Sequence, residues 1–176
     1  MTQKVALLRG VNVGGKNRLP MKELAAMLSD MGCKNVRTYI QSGNVVYDGT
    51  ATGADIASAI NKNFGFKPQT FVMTAAALKK AVASAPFQKQ AQADPKSVHL
   101  LFLEGEPQKG AEAELEEIKT AAEQFVLAKG VLYLHSPKGF AVSKIAEKAD
   151  RILKTKTTAR NWKTIEALID LTGRKS

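Results

Sequence analysis

The sequence predicts an α+β fold of two subdomains, and three observations carry that reading. Apolar positions alternate with periods of two and then about four in the order β-α-β-β-α-β over residues 1–73, which is the ferredoxin-like arrangement. A similar run of patterns recurs after residue 97. Between them lies a Gln- and Ala-rich polar stretch, Pro86 to Pro95, that reads as a connection. The expected organisation is a ferredoxin-like subdomain at 1–85, a linker at 86–96, and a partial ferredoxin-like unit with an extra C-terminal helix at 97–176.

The first strand is Lys4 to Val11, apolar on both faces (Val5, Leu7 and Val11; Ala6 and Leu8), as in a strand covered on both sides. A glycine-bearing loop, Asn12 to Leu19, leads to a helix opened by Pro20, with Leu24, Leu28 and Met31 on one face and Gly32 beyond its end. Val36 to Gln41 and Val45 to Asp48 form a hairpin about Ser42-Gly43-Asn44. Ile56, Ile60 and Phe64 mark a second helix stopped by Gly65, and Gln69 to Met73 is the fourth strand. A third helix spans Thr74 to Ala85.

In the second half, Ser97 to Leu103 is a strand and Glu112 to Glu123 a helix whose glutamates favour its N-terminal end. Phe125 to Ala128 and Val131 to His135 make a hairpin about Lys129-Gly130, and a helix follows from Ser143 to Leu153. In place of a fourth strand, the chain is expected to end in a helix from Thr158 to Leu171, capped by Thr158, with Trp162, Ile165 and Ile169 inward.

Composition excludes several classes. With 44% hydrophobic and 24% charged residues the chain packs a core. Its longest apolar runs, such as Val5 to Leu8, are far too short to span a bilayer, so a cytoplasmic protein is expected. One cysteine, Cys33, and two histidines, His99 and His135, provide neither a disulfide framework nor a metal cluster. No cofactor is expected. The net charge of +10 is unevenly placed, with +5 over residues 1–47, −5 over 104–123 and +7 over 129–163 among its contributions. Two basic blocks therefore flank an acidic helix, and the basic excess favours phosphate-bearing partners.

Gly10 to Lys16 spells G-x-x-x-x-G-K between a strand and a helix, the form of a phosphate-cradling loop. Asn17 stands where Ser or Thr should hold magnesium, the helix begins too late, and the strand order predicts an antiparallel sheet. These points argue against a nucleoside triphosphatase. The topology makes the sharper point, because the exit of the first strand, the hairpin and the entry to the fourth strand share one edge. That edge gathers Asn12, Gly14, Gly15, Lys16, Asn17 and Arg18 with Gln41, Ser42 and Asn44, and with Lys67. Free amides, cations and uncharged donors together suit a phosphorylated small ligand.

A second candidate site takes Ser143 and Lys144 with Thr158, Arg160 and Asn161. Arg160, placed in a first helical turn, opposes the helix dipole and calls for an anion or an acidic side chain nearby. Ser143 and Lys144 are adjacent and do not face each other as a dyad would. His135, at a strand end, offers an exposed base without an acidic orienter. His99 alternates with apolar residues and is expected to be buried.

The runs ALLRGVNVGGKN (6–17), VRTYIQSGNVV (36–46) and TARNWKT (158–164) resemble a widespread bacterial family, domain of unknown function 1697. Pro86-Phe87, Val98 to Leu103 and Ser143-Lys144 resemble it as well. The resemblance implies an α+β fold with ferredoxin-like elements, and it brings no established activity and no catalytic residues. The expected function is binding of an anionic, phosphate-bearing small molecule or nucleotide at the loop-and-hairpin edge. Two alternatives stand beside it: a non-catalytic nucleic-acid-binding module using both basic blocks, and a structural or dimerisation module.

Overall fold

Strand β1 (Gln3–Arg9) buries Val5, Ala6, Leu7 and Leu8 completely or nearly so, which is why both of its faces are apolar. In the computed structural model, which describes residues 1–174, it is followed by α1 (Met21–Asp30), β2 (Lys34–Tyr39), β3 (Asn44–Asp48), α2 (Gly53–Phe64) and β4 (Gln69–Thr74). The sheet order is β2-β3-β1-β4, with β1 antiparallel to both neighbours. Ala6, Leu8, Val45 and Tyr47 on one face pack against Leu24 and Leu28 of α1 and Ile56 and Ile60 of α2. Helix α2 starts at a Thr52–Asp55 capping box and stops at Gly65, whose φ of 79° suits glycine.

Helix α3 (Ala75–Ala83) leads into the second half, built from α4 (Gln88–Ala93), β5 (Val98–Leu103), α5 (Ala111–Ile118), β6 (Gln124–Ala128), β7 (Val131–His135), a short 3-10 helix (Phe140–Val142), α6 (Lys144–Leu153), β8 (Thr157–Asn161) and α7 (Trp162–Gly173). Its sheet order is β6-β7-β5-β8, all antiparallel. The path β5-α5-β6-β7-α6-β8 thus repeats the first topology. Leu101, Leu132 and Leu134 pack there on Leu115, Ile145, Ala149 and Ile152.

Four expectations need correction. The second half is a complete unit, because Thr157–Asn161 pairs with β5 (Leu101 opposite Ala159, Leu100 opposite Arg160) and does not begin a helix. Two β-branched threonines and a free sheet edge outweigh the helical reading there, and the helix cap is Asn161, whose Oδ1 accepts from Thr164 N at 2.9 Å. The acidic helix ends at Ile118, and Thr120 to Glu123 forms a turn instead. Residues 86–96 hold α4 and bury Phe87 and Ala91, which a linker does not.

Finally, the compact units are Met1–Lys80 with the chain from Glu166 onward, and Ala81–Ile165. The boundaries therefore fall inside α3 and α7. The end of α7 joins the first unit, where Arg37 Nη1 of β2 donates to Leu171 O at 3.0 Å.

Candidate functional site

The segment that spells a phosphate loop folds as a closed β-hairpin. Lys16 N donates to Val13 O, and Asn12 N donates to Asn17 O, each at 3.0 Å. Gly14 and Gly15 form the two-residue tip with φ of 58° and 73°. Two consecutive positive φ values define the hairpin turn that glycine pairs favour, so the glycines set a tip and do not line a cradle. A Cβ on either would meet nothing within 4 Å, which leaves backbone angle as their only requirement.

Asn12 fixes this finger to the rest of the unit. Its Oδ1 accepts from Leu19 N at 2.7 Å, while its Nδ2 donates to Leu19 O at 2.8 Å and to Gln41 O at 2.7 Å. Asn17 Nδ2 turns back to Gly10 O at 3.0 Å. Both asparagines have positive φ, 54° and 52°, a conformation asparagine tolerates better than most residues.

The β2–β3 turn closes on the same edge. Leu8 N donates to Gly43 O at 2.8 Å. Gly43 lies so close to β1 that a Cβ there would sit 2.7 Å from Leu8 Cβ and 2.8 Å from Val11 Cγ2. Asn44 is fully buried and donates from Nδ2 to Tyr39 O at 3.1 Å and to Ser42 Oγ at 2.9 Å.

Ile40 adopts φ 47° while half exposed. A β-branched residue in the left-handed region is strained, and such strain clusters at functional loops. Val13, on the neighbouring finger, is 64% exposed.

The structure therefore brings the first set of residues to one edge in two roles. Buried Asn44, half-buried Asn12 and exposed Asn17 each turn their amides onto main-chain carbonyls and hold the loops. Gly14, Gly15, Lys16, Arg18, Gln41 and Ser42 are exposed on the outside, with Arg9 beside Gln69 at the end of β1 and Lys67 exposed just before β4.

The second set does not assemble. Ser143 caps α6, its Oγ accepting from Ala146 N at 3.1 Å, and Lys144 is exposed and paired with Glu147 at 3.0 Å. Ala159 packs against the core that includes α6, so strand alternation sends Thr158 and Arg160 to the opposite face of the sheet. Arg160 is a buried strand residue whose Nη1 donates to Thr158 Oγ1 at 3.1 Å and to Ala159 O at 2.9 Å. Burial lowers its guanidinium to about 10, so it keeps its charge at neutral pH.

The histidines also settle. His99 is buried and stacks on Phe140 at 4.2 Å, and burial pulls its imidazole down to about 4. His135 is half-buried, where the sequence leads us to expect an exposed side chain. Its Nδ1 is enclosed without a hydrogen-bond partner, and its ring lies 6.0 Å from Phe87.

Sequence reading missed Glu123 and Ser136, both buried polar residues beside the α6 N-terminus. The T-x-x-E spacing of Thr120 and Glu123, a capping-box form, was the available signal.

A family model described as "Protein of unknown function (DUF1697)" matches residues 1–133. The conserved bacterial protein SP0830 from Streptococcus pneumoniae has a similar solved structure, with a TM-score of 0.72 at 21% identity, covering 97% of this chain and 98% of that one. At that identity the likeness concerns the fold. No curated protein matches the chain.

Proposed function

The chain belongs to the DUF1697 family of proteins of unknown function, and from that premise we propose that it binds nucleic acid, without catalysis, through the finger and turn of its first unit. One observation carries the reading: the loop is hydrogen-bonded shut on itself, with its asparagine amides engaged on main-chain carbonyls and Lys16 and Arg18 exposed. A pocket for a small phosphorylated molecule needs donors left for the ligand, and here the asparagine amides are occupied by the protein's own carbonyls. A protruding loop with cations on its outer side meets a phosphate backbone instead.

Exposed Val13 and Ile40 offer apolar contact to sugars or bases beside those phosphates. Because the finger is already closed by its own hydrogen bonds, less conformational entropy is lost when it docks than for an open loop. The net charge of +10 adds long-range attraction to any polyanion. The same reading places the protein in a bacterial cytoplasm, supported by the bacterial origin of its structural neighbour and by the lack, among the described residues, of a helix able to cross a membrane.

Fluorescence anisotropy with labelled single- and double-stranded oligonucleotides, taken through a salt series, tests this. The expected result is a steep loss of affinity with salt, of slope about −0.7 to −0.9 per phosphate contacted. The double variant Lys16→Glu, Arg18→Glu should weaken binding by at least about tenfold and flatten the slope by one to two contacts. Binding of nucleoside phosphates with a shallow salt dependence would replace this reading with the small-ligand one. Absence of binding to either at low salt would end both.

A further inference from the structure

A cavity of about 230 Å³ in the second unit holds a second, independent set of polar groups. Its walls come from the turn after α5 (Thr120, Glu123), the segment after β7 (Ser136, Lys138), the end of the 3-10 helix (Val142) and the cap of α6 (Ser143). Two features mark it as more than a helix end. Ser136 is 2% exposed, and its Oγ is enclosed without any hydrogen-bond partner. Buried hydroxyls are rarely left this way without a ligand or water to meet them.

Glu123 is a carboxylate only 4% exposed. Its Oε1 accepts from Ser143 Oγ, and its Oε2 accepts from Thr120 N at 2.9 Å. A carboxylate has about four lone-pair sites, so acceptor capacity remains. Ser143 has no donor left, because its O–H goes to Glu123, and one of its two lone pairs already accepts from Ala146 N.

The walls are held in place from outside the cavity. Ser136 N donates to Ser97 O at 2.9 Å and Gly139 N to Ser136 O at 3.0 Å. The 3-10 helix next along the chain is pinned by the stacking of Phe140 on His99. The cavity is thus shaped before any ligand arrives, with exposed Lys138 and Val142 at its rim.

The lining offers hydrogen-bonding groups of both kinds, the buried carboxyl oxygens of Glu123 and the enclosed hydroxyl of Ser136, which suits a neutral molecule carrying both donors and acceptors. A hydroxyl can donate to Glu123 and accept from Lys138, and Ser136 Oγ can do either. At roughly 30 Å³ per water-sized group the cavity takes about seven or eight such groups. We infer that this cavity binds a small neutral polyol or sugar, of about four carbons, between Glu123 and Ser136.

Isothermal titration calorimetry on the full chain, with erythritol, ribitol and xylose as probes and ethylammonium and acetate as charged controls, tests the inference. Saturable binding of at least one polyol is expected. Ser136→Ala and Glu123→Gln should each weaken it by about tenfold or more, the loss typical of a hydrogen bond to a buried group. Val142→Trp, a change at an exposed rim position, should abolish it while circular dichroism and thermal denaturation stay as in the parent. The Lys16→Glu, Arg18→Glu protein should bind the polyol unchanged, which separates this site from the nucleic-acid edge. The inference is overturned if no polyol binds, if ethylammonium or acetate is preferred, or if the Val142→Trp protein binds as well as the parent.

Discussion

Asn12 Nδ2 donates to the main-chain carbonyl of Gln41 at 2.7 Å, linking the β1–α1 finger to the β2–β3 turn across 29 positions of sequence. The same side chain closes two bonds to Leu19, so a single amide sets the geometry of the whole edge. Asn12→Ala removes three hydrogen bonds and places alanine at a positive φ. It should destabilise the protein by about 2–4 kcal/mol, from about 1 kcal/mol per bond with some relaxation, as read by urea denaturation. Oligonucleotide affinity should fall as well, although Asn12 itself carries no charge.

Gly43 and Gly15 both have positive φ, yet their replacement by alanine should differ sharply. At Gly15 a new Cβ meets nothing, and the cost is the left-handed backbone alone, about 1–2 kcal/mol. At Gly43 it would press on Leu8 Cβ at 2.7 Å and Val11 Cγ2 at 2.8 Å, which adds overpacking of about 1–3 kcal/mol. Urea midpoints of the two variants should therefore rank Gly43→Ala well below Gly15→Ala. Equal midpoints would show that the turn moves off β1 without cost.

His99 makes stability fall with acid. Burial lowers its imidazole from 6.5 to about 4, so between those values the unfolded chain takes up a proton that the folded chain does not. Stability present above about pH 6.5 is lost as pH falls toward 4, by about 3 kcal/mol at 1.36 kcal/mol per unit. His99→Phe keeps a ring stacked on Phe140 and should remove this part of the acid-side decline, which urea midpoints at pH 7 and pH 5 will reveal.

Cys33 is buried, and desolvation raises its thiol above the usual range. Native protein at neutral pH should react slowly with a thiol reagent such as dithionitrobenzoate, and reaction should become fast once urea opens the first unit. Fast labelling of native protein would mean that the loop after α1 opens on its own.

Much of this fold is written in local pattern. The doubly apolar Val5 to Leu8, the spacing of Ile56, Ile60 and Phe64, and the Gly65 stop are each decided by neighbours in the chain, and each element appears where those signals lie. The convergence of the finger, the hairpin turn and the start of β4 on one edge also follows from strand order alone. Thr157–Asn161 is different, because the same five residues open a helix or complete a sheet depending on whether β5 offers a free edge.

The candidate site divides in the same way. Sequence by itself determined which residues reach the edge, since topology places loops without reference to side-chain direction. Only the tertiary structure decided that Asn12, Asn17 and Asn44 spend their amides on main-chain carbonyls while Lys16 and Arg18 stand exposed. It alone also placed Glu123 and Ser136 around one cavity. The physical reason is that a polar side chain turns toward whichever carbonyl or amide the fold leaves unsatisfied. Those groups become neighbours only when segments far apart in the chain have packed.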